Sequence, residues 1–189
     1  MATAALTKPL PRILVDALAA SGFAVASIDL PCHGEDVRPN EPARLLGWRH
    51  RIEQGEPLFD GFLACCREAI DTLEPREVAA FGVSRGGYAA LTLAASEQRI
   101  SRAAVASPVT DLSVLSEFAG CSAPLPQLSA PTCPLWLAIR ENDERVGTAQ
   151  ALAYAARSGT QPHLHPGAGH ALSEGTYRAA AAWLSNGSS

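Results

Sequence analysis

Gly82-Val83-Ser84-Arg85-Gly86 has the G-x-S-x-G spacing of a serine held out at a sharp turn. A serine hydroxyl is a weak nucleophile. It becomes a useful one when a base takes its proton and an acid orients that base. The flanks fit this use. Glu77-Val78-Ala79-Ala80-Phe81 is short, apolar and strand-like, and residues 86–95 are rich in Ala and Leu and read as a helix. A strand, a sharp turn and a helix are the setting that presents such a serine. The small residues at 82 and 86 predict a close approach of strand and helix, and the helix N-terminus favours developing negative charge.

The partners are sought beyond the carboxyl ends of later strands, because in an open parallel sheet those ends share one crevice. Asp143 follows a predicted strand at 135–140 within a few residues. Glu141 and Glu144 compete with it, and Asp143 could instead cap the next helix. His170 stands in Pro166-Gly167-Ala168-Gly169-His170, between the last predicted strand and the last helix. His163 and His165 are its rivals, but they fall inside that strand, where a packed or solvated histidine is usual. The order Ser…Asp…His suits a strand–turn–helix nucleophile. His33 is expected to tie down its loop and Asp111 to cap a helix. Arg85 has two readings, a local salt bridge or a substrate contact, with the salt bridge the commoner. Trp48 and Trp136 are expected to pack. No metal-ligand set is apparent, and Gly86-Gly87 lacks the lysine of a phosphate loop, so no cofactor is expected.

These residues need a scaffold, and the chain alternates strand and helix patterns, which implies a mostly parallel sheet with helices on its faces. A helix is predicted over 9–21, closed by Gly22, and a strand over 23–30 that ends in Pro31-Cys32-His33-Gly34. Residues 35–55, with Pro39, Pro42 and Gly47, read as an irregular excursion, and 57–74 as a long helix stopped before Pro75. After the Ser84 unit come a strand at 102–107, a helix capped by Thr110 or Asp111 and running to Phe118, and a Pro/Ser-rich loop over 120–134. The strand at 135–140, a helix near 147–158, a short strand at 161–165 and a final helix from Ser173 complete the series. Tyr177, Ala180, Ala181 and Leu184 share one face of that helix.

Composition bounds the reading. With 189 residues, 47% of them apolar, the chain suffices for one domain with a substantial core. A net charge of −4 with interspersed signs gives no basic face for nucleic acid. No apolar run is long enough for a bilayer, and no signal peptide is visible, so no membrane partner and a cytoplasmic location are expected. The five cysteines are odd in number and match no zinc spacing; they are expected to be small apolar residues in a reducing compartment. Asn186-Gly187-Ser188 fits a glycosylation sequon by chance.

The chain resembles the α/β-hydrolases, closest to their esterase/prolyl-oligopeptidase-like branch. The resemblance rests on Asp29-Leu30-Pro31-Cys32-His33-Gly34, Gly82-Val83-Ser84-Arg85-Gly86-Gly87, Ser107-Pro108-Val109-Thr110-Asp111-Leu112, Asn142-Asp143-Glu144-Arg145-Val146 and Gly169-His170. It spans about residue 10 to the end. It implies a three-layer α/β/α sandwich in a single domain without a separate cap. It also implies a serine hydrolase acting on small-molecule carboxylic esters, with peptides or amides as alternatives. Ser84 would then be the nucleophile, His170 the base, Asp143 its orienting acid and the Arg85 backbone N–H one oxyanion donor.

The resemblance also implies a gap. Family members carry about three strands before the helix at 9–21. The third of these lies mid-sheet and ends in a His-Gly loop that supplies a second oxyanion N–H. Met1 to Lys8 hold neither. The expectation is a sheet of about five strands in which 23–30 pairs directly with the strand before Ser84 or leaves a gap. The alternative function is a catalytically impaired or non-catalytic hydrolase-fold protein or fragment.

Overall fold

The computed structural model describes residues 8–186; the N-terminal stretch before Lys8 and the sequon beyond Asn186 lie outside the described residues. Its centre is a four-stranded parallel sheet in the order β1-β2-β3-β4. The strands are β1 (Val78–Val83), β2 (Ile100–Ala106), β3 (Leu135–Asn142) and β4 (His163–Ala168). The helices are α1 (Pro9–Ala20), α2 (Arg44–Glu53), α3 (Asp60–Leu73), α4 (Arg85–Ser96), α5 (Thr148–Arg157) and α6 (Glu174–Asn186).

Period-two alternation in the strands builds two cores at once. Ala103, Val105, Leu137 and Ile139 face α3, α4 and α5. Ala104, Ala106, Trp136 and Ala138 face α1 and α6, where Leu14, Leu18, Tyr177, Ala180, Ala181 and Leu184 close the layer. The result is the expected α/β/α arrangement. A third apolar cluster lies outside the sheet proper. Trp48 is fully buried in it, with its ring 5.0 Å from Phe59 and 5.9 Å from Tyr88.

Two expectations fail in the first third. Residues 23–30 form no strand, so the sheet has four strands rather than five. Their apolar side chains still find homes: Phe23 and Val25 against the α1/α6 core, Ile28 against the α4/α5 core, Leu30 against the third cluster. Alternation can therefore be satisfied by packing alone, without a hydrogen-bonded neighbour. No residue of the segment is buried. β1 pairs with β2 only. Ser84 N–H donates to Ala106 O at 3.2 Å, so the backbone groups of 79, 81 and 83 point to the other edge, where no strand pairs among the described residues.

The second failure is the excursion at 35–55, which contains α2. Leu45, Trp48 and Ile52 are its buried face, at helical spacing. Gly47 is not a breaker there. A Cβ on it would meet Pro42 O at 2.2 Å and Cys32 Cβ at 2.6 Å, so the glycine lets the helix lie against the loop. Smaller differences follow β2. The helix expected through Phe118 is two short 3₁₀ turns, Leu112–Val114 and Ser116–Phe118, the first capped by the Asp111 carboxylate, which accepts from Ser113 N–H at 2.9 Å.

Candidate active site

Ser84 directly follows β1 and stands at the head of α4 with φ 56 and ψ −123. A non-glycine residue in this region is strained, of order 1–3 kcal/mol, and holds only where its surroundings force it. They do so here. Ser84 N–H is anchored to Ala106 O on β2, and Ser84 O accepts from Gly87, Tyr88 and Val109 N–H at 2.9, 3.2 and 3.0 Å. A Cβ at 82 would lie 2.0 Å from Gly86 O, and one at 87 would lie 2.6 Å from Pro108 Cβ. The close approach thus requires glycine at 82 and 87. Position 86, expected to matter for size, opens onto free space.

Asp143 directly follows β3 and His170 comes just after β4. The structure brings these two together: His170 Nδ1 lies 2.9 Å from Asp143 Oδ2. Asp143 is buried and its carboxylate is well held. Oδ1 accepts the backbone N–H of Arg145 at 3.1 Å and of Val146 at 3.3 Å. Asp143 N–H in turn donates to Thr148 Oγ1, whose hydroxyl donates to Arg140 O at 2.8 Å. So Asp143 does not cap α5, whose N-cap is Gly147; its carboxylate holds the turn before that helix and the histidine. On the histidine side, Gly169 N–H donates to Asn142 O at 2.9 Å and Arg140 Nε donates to Ala171 O at 2.7 Å, pinning both flanks of His170. Of the rival acids, Glu141 and Glu144 are exposed. Of the rival histidines, His163 packs beside the Trp136 ring at 5.3 Å and His165 lies within β4.

The Ser84 hydroxyl makes no hydrogen bond among the described residues, to His170 or to any other group. The backbone N–H of Arg85, the first residue of α4, is likewise unpaired among them, as the first N–H groups of a helix are. Three strand ends therefore carry Ser84, Asp143 and His170 on one side of the sheet.

A second wall beside Ser84 is the loop after residue 30 together with α2, whose Cys32, Leu45 and Trp48 share an apolar cluster with Tyr88 and Ala89 of α4. His33 Nδ1 lies 2.8 Å from Pro31 O, and the Trp48 indole donates to the same carbonyl at 2.6 Å. His33 thus ties down its loop, and burial, with Arg85 and Arg44 adding to it, keeps its imidazole below the usual range. Arg51, almost fully buried, donates to Glu41, to Asp36 Oδ2 at 2.6 Å and to Asp36 O at 2.7 Å. This holds the Glu41 carboxyl down to about 2. Burial pushes the Cys32 thiol up to about 12, which makes it a packing residue rather than a nucleophile. Sequence reading missed this network. The signal that was available was the run of Glu35, Asp36, Arg38 and Glu41 facing Arg49 and Arg51 in a segment expected to be irregular.

A model of the alpha/beta hydrolase family matches residues 7–138, well over half of the chain. The chain belongs to the alpha/beta hydrolase family. The match covers Ser84 and its elbow, while Asp143 and His170 lie beyond it. Solved structures share the fold of this hydrolase-family chain along nearly its whole length. A cold-adapted esterase from an Arctic intertidal metagenomic library, seen with bound PEG, is 20% identical with a TM-score of 0.69, over 97% of this chain and 78% of that one. A monoacylglycerol lipase from Paleococcus ferrophilus is 15% identical with a TM-score of 0.65, over 93% and 88%. An alpha-beta serine hydrolase homologue from Coxiella burnetii is 15% identical with a TM-score of 0.57, over 95% and 74%. At these identities the likeness is one of fold. No curated protein is similar enough in sequence to match.

Proposed function

We propose that the chain is a serine hydrolase of small carboxylic esters that works through Ser84, His170 and Asp143. The observation that carries this reading is the 2.9 Å Asp143–His170 hydrogen bond, placed at the sheet end where the strained Ser84 turn also stands. With Asp143 accepting from Nδ1–H, His170 is fixed in the tautomer whose Nε2 lone pair is free to take a proton. Ser84 Oγ then attacks the ester carbonyl carbon, and its proton passes to Nε2. The tetrahedral oxyanion is met by the Arg85 backbone N–H and the positive end of α4. His170 returns the proton to the departing alcohol, leaving an acyl-enzyme. Water repeats the sequence and releases the acid. The esterase and lipase names of the structural neighbours favour esters over peptides. The segment between β2 and β3 holds only 3₁₀ turns and loop, which supports a fairly open site without a separate cap domain.

A second reading, a hydrolase fold without useful turnover, is favoured by two features: the unbonded Ser84 hydroxyl and a single identified oxyanion donor. Absence of one donor costs on the order of 10²–10³ in turnover. One experiment separates the readings. A fluorophosphonate probe labels the chain at Ser84, and p-nitrophenyl butyrate is turned over, with both signals lost in Ser84→Ala and His170→Ala. Labelling and turnover no greater than those of Ser84→Ala would establish the second reading.

A further inference from the structure

Arg85 follows the proposed nucleophile directly and is half-buried, yet its guanidinium makes no hydrogen bond or ion pair among the described residues. That is unusual for an arginine taken partly out of water, because such a charge is ordinarily paired. The surroundings sharpen the point. Two further guanidinium groups, those of Arg44 and Arg145, are near enough that, after burial itself, they are what disfavours the Arg85 charge. One carboxylate acts on it, that of Glu117. Glu117 is already taken, since its two oxygens accept from Arg145 at 3.0 and 2.5 Å. Arg44 is exposed and has no acidic partner among the described residues. The buried His33 Nε2 beside this pair has no partner either and feels the same two cations. The local salt bridge that would be the ordinary reading of Arg85 is therefore absent, and its guanidinium stands among two other cations and one carboxylate that is already paired.

Resting on the proposed hydrolase reading, we propose that Arg85, assisted by Arg44, is a specificity-determining subsite for a carboxylate carried by the substrate, so that the preferred esters are monoanionic. A guanidinium offers two parallel N–H donors that match a carboxylate, and its partial desolvation before binding strengthens the pair. The substrate class is then an ester with a free carboxylate a few bonds from the scissile carbonyl, on the acyl or the alcohol side.

The test separates binding from turnover. Ser84→Ala protein is titrated calorimetrically with three esters: monomethyl glutarate, its isomer 4-acetoxybutanoate, and neutral dimethyl glutarate. The expected result is that at least one of the two anions binds about 10–100-fold more tightly than the diester. The anion that does so identifies the side that carries the charge. Arg85→Gln in the same background abolishes the preference, Arg85→Lys retains part of it, and Arg44→Gln weakens it. Raising the ionic strength shrinks the preference without any substitution, which keeps the test valid if a variant fails to fold. Equal binding of anions and diester, or a preference that survives Arg85→Gln, overturns the subsite. Anion-selective binding without turnover by the Ser84 protein would leave the subsite standing and overturn the hydrolase reading instead.

Discussion

The two walls beside Ser84 are held by different forces. Asp143 and His170 hang from the ends of β3 and β4, and the backbone ladder sets their separation, with the Gly169–Asn142 bond tying the two strand ends. The facing wall, residues 31–59, has no ladder. It is held by the buried Arg51 with Glu41 and Asp36 and by Trp48 packed against the stacked Phe59 and Tyr88 rings. A ladder distributes its load over many bonds, whereas a buried ion pair concentrates it in two or three side chains. Single substitutions and falling pH should therefore loosen the second wall while leaving the first in place.

The largest effect tests the laddered wall through its chemistry. Asp143→Asn is expected to lower kcat by about 10⁴-fold, because the amide stabilises the wrong imidazole tautomer. Steady-state turnover of p-nitrophenyl butyrate reads the loss, and circular dichroism should show the fold intact. On the other wall, Arg51→Met leaves Glu41, whose side chain is 5% exposed, without its cation. That should cost about 3–5 kcal/mol in urea denaturation, with much of it regained in Arg51→Met/Glu41→Leu. A fold that tolerates Arg51→Met without loss would contradict the contrast.

Acid should act on the same wall. The Glu41 carboxyl is held down from 4.5 to about 2, so its pairing stabilises the fold above the ordinary value and the contribution is lost as pH falls towards about 2. His33, kept below its ordinary 6.5 by burial, must be protonated more readily in the unfolded chain, so its contribution also begins to fade below 6.5. Melting temperature followed downward from neutral pH should fall more steeply in the unsubstituted protein than in Arg51→Met/Glu41→Leu. The smallest effect is expected for Trp48→Phe, which removes the indole donor to Pro31 O for roughly 1 kcal/mol beyond the packing change.

The laddered wall was also the legible one. The patterns at 77–81, 102–107 and 135–140 and the short strand expected at 161–165 each fall on an observed strand, and Ser84, Asp143 and His170 stand out because they lie just past three of those strands. The segment at 23–30 misled because alternation records which faces are apolar and is silent on whether a neighbouring strand supplies hydrogen bonds. α2 was hidden behind Pro39, Pro42 and Gly47, although Leu45, Trp48 and Ile52 carry helical spacing. The Arg51 pairs and the solitude of Arg85 are tertiary facts. They depend on which carboxylates arrive nearby, and that spacing along the chain does not encode.

Each wall also carries its own indole, and this makes the molecule optically addressable. Trp48 is sealed in the side-chain wall with none of its surface exposed, while Trp136 sits on β3 beside His163. With Trp136 and Trp183 replaced by phenylalanine, tyrosine-free excitation would make emission a report from the α2 wall alone. Its red shift on entry of water would time the loosening of that wall separately from the melting of the sheet.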